Sequence, residues 1–284
     1  MTWILDPFST DFMLRALLGG ALVAVLCAVV GTWVVVRGMA FLGEAMAHGM
    51  LPGVALASLL GLPVVAGAAV SAIAMSLGVS LVTRRGRISQ DTSIGLLFVG
   101  MLALGVIIVS HSRSFATDLT AILFGDILAI RADDLAPLAI ALSVALATAA
   151  LFHRSFVALS FDPRVASTMH LRPRLAHVVL VGLVTLAVVA SYGAVGSLLV
   201  VGLLLAPPVA AGQWARRIPS TMLLAAMLGM LAVAAGLLVS WHASTAAGAS
   251  IAVSAIAIAA LSAATRRLFV LIVSHRKAAR ALTV

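Results

Sequence analysis

Glu44 is the only glutamate in the chain, and His48 follows four residues later inside the apolar segment "RGMAFLGEAMAHGMLPGVALASLLGLP" (37–63). Residues four apart share one face of a helix, so the carboxylate and the imidazole project together. An ionised glutamate inside hydrocarbon costs ~2.5–3.5 kcal/mol, so the pair calls for a partner. One carboxylate oxygen and one imidazole nitrogen suit zinc, manganese or iron(II). The plainer alternative is a Glu–His hydrogen bond that ties two helices together. Two ligands do not hold a metal alone. A two-fold dimer with this helix at its interface would place two Glu and two His around a central pore. Gly43, Ala45, Ala47 and Gly49 surround the pair and are expected to let the second subunit's helix approach closely. Counted from an inner boundary near Ala40, Glu44 lies ~6 Å and His48 ~12 Å into the core.

Other residues with chemical potential are sparse. Pro207 and Pro208 in "LLVVGLLLAPPVAAGQWARR" (198–217) predict a kink or break, which serves as a packing bend or as a hinge or gate. His111 and His242 fall at the outer ends of apolar blocks, where they are either contacts for an arriving ion or plain interfacial residues. His153, His170, His177 and His275 fall among arginines at the opposite ends and read as interfacial. Lys277 is the only lysine, and no G-x-x-x-x-G-K-[ST] occurs, so the chain itself does not hold ATP in a P-loop. Without a Ser-His-Asp, H-E-x-x-H or C-x-x-C pattern it does not read as an enzyme acting alone. Cys27 is the single cysteine, so no intrachain disulfide forms and helix packing is its expected role.

The elements that position these residues are membrane helices. A chain of 284 residues that is 63% hydrophobic and only 10% charged, with a mean hydropathy of +1.22, lacks the polar surface of a soluble domain. Blocks of about 20 apolar residues are long enough to cross a hydrocarbon core of ~30 Å. The reading is an all-α polytopic bundle of about nine spans, with eight as the alternative count. The spans are 14–36, 39–61, 63–82, 91–110, 135–152, 174–191, 194–212, 219–240 and 246–264. Asp6 and Asp11 stand where a cleaved signal peptide would need positive charge, so the first block reads as a span. Sorting the loops by charge gathers 15 of the 18 Lys and Arg on one side, which places the N-terminus outside and the C-terminus inside. The net charge of +9 is thus topological and not a nucleic-acid footprint. Two loops are long. The inner one, 153–174, has a helix start at Asp162-Pro163. The outer one, 110–134, holds an apolar stretch too short to span, a candidate re-entrant or interfacial segment. The basic tail, 265–284, is a candidate amphipathic helix on the inner leaflet.

Three segments together resemble one family. "RGMAFLGEAMAHGMLPGVALA" (37–57), "LSFDPRVASTMHL" (159–171) and "GAVGSLLVVGLLLAPPVAA" (193–211) are similar to the permease subunits of bacterial ABC importers for zinc, manganese or iron. "FMLRALLGGALVAVLCAVVG" and "LFGDIL" extend the likeness over nearly the whole chain. The resemblance implies a plasma-membrane permease, as a homodimer or a heterodimer with a related chain. It also implies two cytoplasmic ATPase subunits and an extracytoplasmic metal-binding protein. It implies that Glu44 and His48 line the central pathway. It further implies that Ser160, Phe161, Asp162, Pro163, Arg164, Ala166, His170 and Leu171 form the helix that docks on the ATPase. The family more often carries Asp in place of Glu44 and Gly in place of His170.

The expected function is inward transport of a divalent transition metal, with no permanently bound cofactor. Three alternatives stay open. A secondary transporter would use Glu44 and His48 as a proton relay and need no ATPase. A permease for metal chelates such as siderophores or cobalamin would have a wide pore and no use for the pair. A structural scaffold would leave the glutamate without a role.

Overall fold

The computed structural model describes residues 6–85, 89–110, 125–161 and 172–281. Within a bilayer the backbone has to pair its own N–H and C=O groups, and the apolar blocks do so as helices. In chain order these are α1 (Asp11–Val36), α2 (Ala40–Gly49), α3 (Leu51–Leu60), α4 (Val64–Arg85) and α5 (Gln90–Ser110). They continue as α6 (Ala132–Leu151), α7 (His153–Phe161), α8 (Pro173–Gly212), α9 (Ile218–Ala243) and α10 (Ala247–Ala281). Among the described residues eight stretches are long and apolar enough to cross a membrane, α2 and α3 together making one of them.

α8 is not a single rod. Gly196 has φ 72° and ψ 167°, a backbone open to glycine, and divides it into two arms. The Cys27 thiol of α1 touches both arms, lying 3.9 Å from the Val200 carbonyl and against Ser191. Nearer the far end of α1, Gly31 meets Leu204 and Pro208 of the second arm, while Arg37 lies beside His177 of the first. Both ends of α8 therefore sit at one end of α1, and the chain reverses at Gly196. The stretches 174–191 and 194–212 are the two arms.

The reversal is locked by a second glycine. Gly125, at φ 60°, lies so close to Val195 and Gly196 that a Cβ would collide with their backbone. After it, the short 3₁₀ turn Ile127–Ala129 buries Ile127 and Ile130 against Gly20 and Gly19 of α1. This part of the 110–134 loop is irregular backbone packed within the protein, where it is tolerated. Residues 111–124 lie outside the described residues.

Three elements differ from the sequence expectations. The span 39–61 is two helices, broken at Met50, because Pro52 in the first turn of α3 has no N–H to continue the ladder. No break occurs at Pro207 and Pro208, where helical backbone runs on to Gly212. Pro208 leaves the Leu204 carbonyl without its helical donor, and Gly31 of α1 packs directly on that oxygen. The tail is no separate element up to Ala281, because α10 continues through it.

α1 forms the centre, packed along α8, α9 and α6. α3 and α4 cross at Gly53 and Gly67 with backbones in contact, and the Ser71 hydroxyl donates to the Gly49 carbonyl at 2.8 Å. The outer helices turn Val70, Leu77, Leu96, Val99, Ile140 and Leu151 outward, as a lipid-facing surface requires.

Candidate metal pathway

The turn that launches α2 uses Gly38 at φ 65°, and its side chains then sort by face. Leu42, Gly43, Ala45, Met46, Ala47 and Gly49 are buried, while Phe41 and Glu44 are exposed and His48 is half-buried. Gly43 seats against Leu204 of α8 and Gly49 against Met75 of α4. This corrects the expected role of the small residues: Gly43, Ala45, Ala47 and Gly49 fasten α2 to its own chain. They point away from the Glu44 face because they occupy the other positions of the helical turn.

On the open face, Phe98 of α5 stands edge-on to both rings, 5.8 Å from Phe41 and 5.7 Å from His48. The Glu44 carboxylate is near enough to act electrostatically on the His48 ring. His48 Nδ1 is buried and has no hydrogen-bond partner among the described residues. An orphaned ring nitrogen beside an exposed carboxylate is a half-built donor set, since buried polar atoms are otherwise paired. Among the described residues no group of three or more His, Cys, Asp or Glu comes together. Among the described residues one chain thus offers two candidate ligands here, one oxygen and one nitrogen, and no complete site. The helix ends at Gly49, one residue beyond His48, so the pair lies next to the break at Met50.

The remaining predicted residues disperse. His242 lies exposed in the last turn of α9, with its Nδ1–H donating to the Leu238 carbonyl at 3.0 Å, and it joins no metal cluster with Glu44 and His48. Ser160 is half-buried and donates to Phe156 O at 2.8 Å, and Phe161 is the last residue of α7. His111, Asp162, Pro163, Arg164, Ala166, His170 and Leu171 lie outside the described residues. Cys27 is fully buried between the arms of α8, in the packing role expected of it.

Two features were not read from the sequence. The Pro52 break was visible in the opening segment, where proline inside an apolar run signals interruption. Arg37 sits half-buried at the α1–α2 turn, where it donates to the Leu159 carbonyl of α7 at 2.6 Å. Burial pushes its guanidinium below the ordinary arginine value, yet arginine stays charged. Arg37 therefore ties the base of α2 to the helix that enters the 153–174 loop.

The model of the ABC 3 transport family matches residues 9–266. The manganese transport system membrane protein MntC of Listeria monocytogenes is 35% identical over 240 residues, covering 84% of this chain and 85% of the relative. The chelated iron transport system membrane protein YfeD of Yersinia pestis is 33% identical over 252 residues, covering 88% and 84%. The solved structure of PsaBC from Streptococcus pneumoniae in complex with Fab superposes with a TM-score of 0.81 at 31% identity, covering 91% of this chain and 94% of that one.

Proposed function

The chain belongs to the ABC 3 transport family, and from that premise we propose that Glu44 and His48 line the route of a manganese or iron(II) ion between two copies of this permease. It is a multi-pass protein of the bacterial plasma membrane and the permease part of an ABC importer for divalent metals. Such a permease works with ATPase and substrate-binding partners. Relatives named for manganese and for iron support those two metals ahead of zinc.

One observation carries the reading. Glu44 is exposed on a helix whose other faces are buried in its own chain, beside a His48 nitrogen that nothing satisfies. Facing lipid, that carboxylate would cost ~2.5–3.5 kcal/mol. Facing a second copy across a two-fold axis, it meets another Glu and His and becomes half of a four-ligand site. Such a site has few ligands and is assembled from two subunits, which suits an ion that has to leave again.

The mechanism follows from the neighbours. The N-terminus is outside and the C-terminus inside, so metal delivered from outside moves toward Ala40. ATPase subunits bind the inner loop through Ser160, Phe161, Asp162, Pro163, Arg164, Ala166, His170 and Leu171. Their movement reaches α2 by the hydrogen bond from Arg37 to Leu159. The second arm of α8, with Pro207 and Pro208, is the gate: its Leu204 touches both Gly31 of α1 and Gly43, next to Glu44.

The arrangement is tested by cysteine cross-linking. The native Cys27 is buried, so Glu44→Cys supplies the reactive thiol. Oxidation in membranes should give a covalent homodimer. Only monomer from Glu44→Cys, with cross-linking instead from Leu77→Cys on the outer face of α4, would place the interface elsewhere.

A further inference from the structure

A cavity of about 890 Å³ lies between α4 and the first arm of α8, away from the Glu44 face. Its walls are apolar, including Ile73, Leu77, Val181 and Val189. One end is basic: Arg37, Arg174 and His177 line it, and no carboxylate among the described residues does. The wall from Arg174 to Val189 is about 22 Å long at helical rise, more than the ~15 Å of one hydrocarbon leaflet. Two hydroxyls within it, Ser76 and Thr185, are 3.3 Å apart and also donate to their own helices' carbonyls, so the depths of the groove have no unmet polar demand. Ile73, Leu77 and Val178 are more than half exposed, so the groove opens sideways to lipid.

Three cationic or ionisable side chains at the mouth of a greasy trough match one kind of occupant. We propose that this groove binds an anionic phospholipid of the inner leaflet, its phosphate on Arg37 and Arg174 and one acyl chain along Ile73, Leu77, Val181 and Val189. Basic pockets between membrane helices at the cytoplasmic side hold such headgroups. The first turn of α8 lies at the same end, and the positive end of the helix dipole there also favours an anion. The proposal rests on the inside placement of Arg37, and not on metal transport. Its consequence is a lipid that braces Arg37, and thereby the joint between α2 and α7.

Native mass spectrometry of the purified, delipidated full-length protein tests it, with added phosphatidylglycerol, phosphatidylcholine or inorganic phosphate. Phosphatidylglycerol should be retained at one per chain and phosphatidylcholine at least about fivefold less. Arg174→Gln, which removes no observed hydrogen bond, should weaken phosphatidylglycerol binding about fivefold, as expected for one surface arginine. Gly182→Trp tests the trough separately: Gly182 lines the cavity and nothing lies within 4 Å of a Cβ there, so the indole fills the space. Loss of the adduct in Gly182→Trp with a normal elution profile supports the site. Equal retention of both lipids, binding by inorganic phosphate alone, or full occupancy in Gly182→Trp overturns it. So does wild-type protein that takes up no lipid, because another polypeptide segment then covers the groove. The readout contains no metal, so it fails independently of the transport reading.

Discussion

The closest crossing in the bundle makes a quantitative prediction. Gly31 of α1 lies against the Leu204 carbonyl that Pro208 leaves without a helical donor. A Cβ at position 31 would run into that oxygen, and both partners are backbone, so no rotamer relieves the overlap. A comfortable C···O contact is about 3.3–3.6 Å, so α1 and the second arm of α8 would have to part by roughly an ångström or more. Overpacking of that kind costs about 1–3 kcal/mol, and the rigid partners put it at the upper end. The intrinsic gain of alanine over glycine in a helix returns about 1 kcal/mol. Gly31→Ala should therefore lose about 2 kcal/mol, roughly a thirtyfold shift between folded and unfolded protein. Two controls bracket it. At Gly19 a Cβ meets side chains alone, its one close contact the tip of Ile130, 2.7 Å from Cδ1, which can swing away. At Gly212 nothing lies within 4 Å. The surviving monodisperse fraction after heating, read by size-exclusion chromatography, should rank Gly31→Ala well below Gly19→Ala, with Gly212→Ala at wild-type level. Equal survival of Gly31→Ala and Gly212→Ala would refute the crossing.

Other expectations follow from the same geometry. Gly125→Ala forces a positive-φ backbone on alanine and drives its methyl into Val195 and Gly196, so it should lower heat survival by at least as much as Gly31→Ala. Cys27 should resist N-ethylmaleimide in folded protein and react once it is denatured, because it is fully buried; labelling of native protein would contradict its place between the arms of α8. Arg37→Gln should preserve metal binding while lowering metal-stimulated ATP hydrolysis in the assembled importer, since it cuts the tie to Leu159; unchanged coupling would remove that route. Charge reversal at Asp162 with Arg164 should weaken pull-down of the ATPase, and normal association would move the docking surface away from that loop.

Much of the fold was legible because apolar blocks long enough to span are written directly into the chain. The Glu44–His48 face was legible for the same reason: a lone carboxylate in a greasy run is a costly exception. Which side of each helix turns inward was far less legible. Lipid and protein core are both apolar, so periodicity does not separate them, and Gly43, Ala45, Ala47 and Gly49 were assigned to the wrong neighbour. The paired prolines drew attention from Gly196, whose positive φ makes the actual reversal. A proline's cost is readable from its own chemistry. A glycine's role depends on what approaches it, and here that is Gly125, some 70 residues away in sequence. The basic groove was hidden likewise, since Arg37 and Arg174 meet only when α2, α7 and α8 converge.

The central claim is that the Glu44–His48 face carries the ion. ATP-driven manganese uptake into proteoliposomes tests it, using permease, ATPase and binding protein together, with Glu44→Gln and His48→Ala against wild type. Both variants should assemble and insert normally, and each should lose most of the uptake. Wild-type uptake by both would contradict the account.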